Sequence, residues 1–222
     1  MKRITIIICA AGLILLSCND NKSDSKTATN DSTSTKMDSS KTDTSKMSQM
    51  NMPMDSAAMM KCWIAFMTPG DVHKMLAKST GTWDEEVTMW MDPSKPPSKS
   101  KATAVNKMIL GGRYQESHAT GNFNGMPFEG ISTLGYDNAK KILVTTWVDN
   151  MGTGIEFLQG TWDSTSHSVN FKGKVTDPMS GKDMDIRELF TMTDDNNQKI
   201  EMFSNEGGKE MKTMEIVLKR KK

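Results

Sequence analysis

Trp83, Val87, Met89 and Met91 fall on one parity of the chain while Asp84, Glu86 and Thr88 fall on the other. The same alternation returns at Val169, Phe171 and Val175 against Asn170, Lys172 and Lys174, and at Met214, Ile216 and Leu218 against Glu215 and Lys219. A period of two is the mark of strands with one buried face. Turn signals punctuate the pattern at Asp92-Pro93, Gly111-Gly112, Asn124-Gly125, Asp137-Asn138, Met151-Gly152, Asp163-Ser164, Asp177-Pro178, Asp194-Asp195 and Gly207-Gly208. Nine turns delimit about ten strands. Before them, Asp71 to Lys78 reads as one short helix with Val72, Met75, Leu76 and Ser79 along one side. No long helical pattern follows, so no helix covers a second sheet face. The pattern predicts an all-β chain: a single up-and-down barrel of about ten antiparallel strands, with a short N-terminal capping helix, closed to remove its edges.

Upstream the pattern disappears. From Asn19 to Met50 the chain is mainly Ser, Thr, Asp, Asn and Lys, with no aromatic residue and no Val, Ile or Leu. Such a segment buries too little apolar surface to offset its conformational entropy, so it reads as a disordered tether with a reach of roughly 30 to 35 Å. The first residues differ again: Lys2 and Arg3 precede an uncharged, mostly apolar run from Ile4 to Leu16. That run is too short for the roughly 20 residues of a membrane-spanning helix and reads as an export signal. Leu15-Leu16-Ser17-Cys18 is the pattern of a lipobox, cut before a cysteine that then carries acyl chains. The expected organisation is a lipoprotein signal peptide at 1–17, a tether at 18–54, a helical lead-in at 55–80 and the barrel at 81–222. The expected address is the bacterial cell envelope, at the outer membrane, with the membrane as partner through Cys18.

Charge and cysteine content narrow the classes. The formal net charge of +1 becomes −1 once Lys2 and Arg3 leave, so no bias toward nucleic acid remains. Cys9 leaves with the signal and Cys18 carries lipid, so Cys62 has no disulfide partner within the chain.

Gly81-Thr82-Trp83 opens the first strand directly after the helix. This Gly-x-Trp resembles the signature of calycins, the lipocalin and fatty-acid-binding barrels. In those barrels the tryptophan closes one end and a basic residue of the last strand packs over it. Arg220 shares parity with Met214, Ile216 and Leu218 and is placed to cover Trp83, a cation–π contact of about 0.5 to 2 kcal/mol. Over Pro69 to Lys221, the blocks PGDVHKMLAKSTGTW, VTMWMDP, NKMILGGRYQ, GMPFEGISTLGYDNAKK, TWVDNMGTG, DPMSGKDM and MEIVLKRK resemble the bacterial family called domain of unknown function 1579. The resemblance implies a calycin-like barrel on exported lipoproteins, and it brings no activity with it.

Chemistry is sparse. Gly-x-Ser-x-Gly, Cys-x-x-Cys and His-Glu-x-x-His are all missing from the sequence, and His73, His118 and His167 lie far apart. His73 and His167 read as solvated, and only His118 is a candidate to face inward as a haem ligand would, so no cofactor is expected. Glu85 and Glu188 share parity with apolar neighbours, and a buried carboxylate is costly unless it is paired or reaches water. Tyr114, Glu116 and His118 share one face of the third strand. The expected lumen residues are therefore Glu85, Tyr114, His118, Phe128, Trp147 and Glu188, beside the barrel signature Gly81, Trp83 and Arg220. The first expectation is a barrel that binds a small apolar or amphipathic molecule. The alternatives are an enzyme using Tyr114, His118 and Glu188, and a solid structural module of the envelope.

The stretch MSQMNMPMDSAAMM, residues 47 to 60, holds six of the chain's 21 methionines. Met50, Met52 and Met54 form a thioether cluster of the kind that binds Cu(I), a minor alternative beside plain packing. Asp55 or Ser56 is placed to cap a helix that brings Cys62, Trp63 and Phe66 onto the barrel.

Overall fold

The computed structural model describes residues 55–222 apart from Pro93 and Gly207. The signal segment, the tether, Cys18 and Met50, Met52 and Met54 lie outside the described residues. Two helices, α1 (Ser56–Met67) and α2 (Asp71–Ala77), precede eleven strands. These are β1 (Gly81–Met89), β2 (Ser98–Ile109), β3 (Tyr114–Phe123), β4 (Met126–Asp137), β5 (Ile142–Asp149), β6 (Glu156–Gly160), β7 (Trp162–Asp163), β8 (Ser168–Thr176), β9 (Asp183–Asp194), β10 (Asn197–Glu206) and β11 (Lys209–Arg220).

All the pairings are antiparallel, β1 pairs with β11, and β6 pairs with β8. The sheet is a closed barrel of ten strands. Phe157↔Lys174 and Trp162↔Val169 lie on one register, so β7 continues β6 after a break at Gly160-Thr161. The break carries no strong turn signal, and the sequence pattern does not announce it. Each of the nine turn signals falls at a junction between strands.

The barrel is packed unequally along its length. At one end Leu134, Leu143, Leu158, Val169, Phe171, Phe190 and Met192 form a buried cluster that Leu76 of α2 completes from outside. A second cluster of Trp83, Ala104, Ala119 and Leu218 joins it through Ile200. Burying such side chains contributes roughly 1.5 to 3 kcal/mol each relative to exposure. Polar groups lock α2 in place: Gln115 Nε2 donates to the Leu76 carbonyl at 2.6 Å, and Gln198 Nε2 donates to Ser79 Oγ at 2.7 Å. His73 is not solvated as expected but 5% exposed, because α2 folds it inward. Its Nδ1 accepts the Gly70 N–H at 3.0 Å and its ring meets Tyr136 edge-on. Burial, with the nearby Arg113 charge, lowers its pKa and keeps it neutral.

Trp83 is fully buried, and its Nε1–H donates to the Ser79 carbonyl at 2.9 Å. The Arg220 guanidinium stands 4.4 Å from the centre of that ring. It donates to the Thr80 and Lys78 carbonyls at 2.6 Å each and to the Asp195 carbonyl at 2.8 Å. Gly81 makes the approach possible: its φ is +130°, and a Cβ there would lie 2.9 Å from Arg220 Nη1.

α1 departs from expectation. Asp55 caps it, accepting the Ala57 N–H at 3.1 Å, but no residue of the helix is buried. Cys62 is exposed, and Trp63 and Phe66 pack against each other instead of the barrel. α2 already seals the apolar end, with Leu76 in the barrel's buried cluster. The clasp is polar: Asn138 Nδ2, in the β4–β5 turn, donates toward the Phe66 and Thr68 carbonyls at 3.0 and 2.8 Å.

Arg220→Ala removes three charge-assisted hydrogen bonds and a cation–π contact, so it is expected to cost about 2 to 4 kcal/mol in urea unfolding. Arg220→Lys, a point charge without the planar fork, is expected to recover less than half of that loss.

Candidate functional site

Toward the other end of the barrel the inward faces change character. Val87, Met89, Ser98, Ser100, Phe128, Ser132, Thr145, Trp147, Met202 and Met214 point inward yet are only half-buried. In the sealed half the same parity gives mostly buried side chains, among them Leu134, Leu143, Leu158, Val169 and Phe171. Solvent therefore reaches into the upper barrel, and the lower barrel is solid.

Phe128 and Trp147 stack inside, ring centres 6.2 Å apart and 21° from parallel. Gly130 is what lets the indole lie there: a Cβ at that position would sit 2.3 Å from the Trp147 ring. Trp147 Nε1–H donates to Asp149 Oδ2 at 2.8 Å, and Asp149 Oδ1 accepts the Met151 N–H. Glu156 lies directly across from Trp147 on β6. On the far wall Glu188 pairs in register with Phe171 and Met202. Glu85 belongs to the row that runs through Ala102 and Gly121 to Phe128.

These carboxylates are costly. Burial pushes the pKa of Glu85 up to about 7. Burial and the adjacent Asp149 charge push Glu156 to about 7. Burial and Glu156 push Glu188 to about 8. Glu188 is half-buried on the inward face of β9. None of the three has a hydrogen-bonding or ion-pair partner among the described residues. Ser204, 4% exposed on the inward face of β10, also leaves its Oγ without a partner. At the rim, a groove of about 340 Å³ lies between Asp177, Ser180, Lys182 and Asn205, with Met184 and Asp185 of β9 in its wall.

Two expected lumen residues are misplaced by the sequence reading. Tyr114 and His118 project outward, because Ala104↔Ala119 pairs the inward faces of β2 and β3 and puts Gln115, Ser117 and Ala119 inside. Small side chains are needed there beside Trp83, so β3 turns a weakly apolar face inward. His118 Nε2 instead lies 2.7 Å from Glu129 Oε1 on the outer surface, and the Tyr114 ring covers Gly135. Tyr114 and His118 are thus separated from Glu188 by the barrel wall. Asp149 and Glu156, unmarked in the sequence reading, join the site. Their parity was readable from Trp147 and Leu158 beside them. Among the described residues no three His, Cys, Asp or Glu side chains stand at metal-ligating spacing.

A closed ten-stranded antiparallel barrel, plugged at one end by a helix and a Trp–Arg pair, is an architecture of the calycin kind. The profile of the family described as "Protein of unknown function (DUF1579)" matches residues 68–220, and the chain belongs to that family. Fourteen solved chains match it in structure. One is the crystal structure of Rv2717c from M. tuberculosis, with a TM-score of 0.53 and 13% sequence identity, covering 70% of this chain and 100% of that one. That likeness concerns the fold alone. No curated protein matches the chain.

The raised carboxylates tie stability to pH. Between the unfolded value of 4.5 and the folded values of about 7 and 8 the native state holds more protons than the unfolded chain. Stability therefore falls as pH rises through that window and levels off above it. Urea midpoints are expected to drop from pH 7.5 to pH 9, a range above the unfolded value of 6.5 at which His73 contributes the opposite slope, and Glu188→Gln is expected to flatten the slope. Gly130→Ala is expected to cost about 1 to 3 kcal/mol by displacing Trp147, with a shift in tryptophan emission.

Proposed function

We propose that this protein is a lipid-anchored envelope protein whose barrel binds a small amphipathic molecule in its upper lumen. The observation that carries the reading is the contrast between the two halves. A solid structural barrel gains nothing from partly open walls that hold an aromatic stack and unpaired carboxylates, whose burial opposes folding. The sealed half supplies the rigid floor, and Phe128, Trp147 and the methionines Met89, Met202 and Met214 supply an adaptable apolar wall. The anchor rests on the sequence Leu15-Leu16-Ser17-Cys18 after its cationic and apolar run.

An enzyme built on Tyr114, His118 and Glu188 is disfavoured, since the first two face away from the third. Two measurements test the proposal. In a Gram-negative bacterial host the chain is expected in the membrane fraction, and Cys18→Ala is expected to release it or leave it unprocessed. Native mass spectrometry of protein purified from its own host is expected to show a bound small molecule that Gly130→Phe excludes. A chain that arrives with no bound species, and whose melting temperature no lipid or amphiphile shifts, overturns the binding reading.

A further inference from the structure

Resting on that reading, we infer that the ligand is a cation: an amphipathic amine or quaternary ammonium. Its charge would sit among Glu156, Glu188 and Asp149, and its apolar part against Phe128 and Trp147. The charge census of the interior carries the inference. Glu85 on β1, Asp149 on β5, Glu156 on β6 and Glu188 on β9 all point inward. The described inward faces of β2, β3, β4, β8 and β10 bring no charged side chain to meet them. β11 brings two cations, and neither is available. Arg220 is committed to three carbonyls at the sealed end, and Lys209 is exposed at the rim. The outer surface pairs its charges freely, as in Arg187–Glu210 at 2.6 Å and Lys107–Glu116 at 2.8 Å. Among the described residues, the buried carboxylates without a partner are those that face the lumen.

A second, independent feature points the same way. The Ser204 hydroxyl is buried and unpartnered, one diagonal step from Glu188, since Ser204 pairs with Ile186 and Met202 with Glu188. It leaves an acceptor and a donor for the ligand's polar end. The stacked aromatic pair beside Glu156 and Asp149 supplies the rest, because an aromatic face next to carboxylates attracts ammonium through both charge and quadrupole. A compact metal ion is not what these side chains surround, as no three of them converge at ligating distance. A fatty carboxylate would add a like charge to a site that already holds its protons tightly. A cation does the reverse: it draws the carboxylates toward ionisation, and protons leave as it enters.

The test uses the anchored full chain in digalactosyldiacylglycerol nanodiscs, a neutral lipid without an ammonium group, with empty nanodiscs as blank. Calorimetric titrations compare hexyltrimethylammonium, 1-hexanol and hexanoate, three probes with one tail. The ammonium is expected to bind at least tenfold more tightly than hexanol, and hexanoate most weakly. Its affinity is expected to rise between pH 6.5 and 8.5 while that of hexanol stays level. Glu156→Gln with Glu188→Gln is expected to abolish the advantage and leave hexanol binding intact, which also certifies that the variant folds. Hexanol binding as well as or better than the ammonium in the wild-type chain overturns the inference and leaves the binding reading standing. If none of the three binds, the binding reading itself fails. The wild-type pH series decides the matter even if the double variant does not fold.

Discussion

The structure depends on one side chain that ties the end of the chain to its beginning. Arg220 lies on the last strand, yet its guanidinium holds the carbonyls of Lys78 and Thr80 just before the first strand and caps the ring of Trp83. Closing ten strands into a barrel requires β1 and β11 to meet after the whole sequence has been laid down. That contact is the least local in the fold and carries the largest loop-closure cost. A planar, permanently charged fork suits the task, since it satisfies several carbonyls at once and stacks on an indole. Gly81 is the complementary concession on β1, with its positive φ and missing Cβ.

Sealing one end so firmly lets the other end stay open. Leu76, Trp83 and the leucine-rich cluster bury enough apolar surface to stabilise the fold without filling the upper half. That surplus offsets the cost of three glutamates whose carboxyls burial keeps partly protonated near neutral pH. Carboxylates with no partners contribute nothing to folding that glutamine or methionine would not do better. Their presence is the observation on which the binding proposal rests.

Parity revealed the inward faces of β1, β8, β9 and β11 because those strands alternate large apolar residues with charges. It misled on β3, where the inward residues are Gln115, Ser117 and Ala119 and the bulky Tyr114 faces out. Size complementarity across the barrel, not hydrophobicity, sets that strand, and a single strand's pattern does not display its partners. His73 escaped for a related reason: in a short helix a polar ring gives no sign that a neighbouring amide will satisfy it. The Gly-x-Trp triplet and Arg220 were legible through their resemblance to the calycin signature. The coupling of Asp149, Glu156 and Glu188 was not, because it exists only once β5, β6 and β9 curve around one space.

The placement of α1 follows from the same division of the barrel. Its C-terminal end is clasped by Asn138 in the β4–β5 turn, and that turn follows Tyr136 and precedes Leu143 of the sealed cluster. The chain leaving α1 at Thr68 therefore enters the barrel at its closed end. α1 leaves Met59, Met60, Trp63, Ile64, Phe66 and Met67 about half exposed, an arrangement that costs hydration free energy without adding to the core. Firm closure at one end and access at the other are thus set by one topological choice, the entry of the chain through a helix that plugs the barrel before the first strand begins.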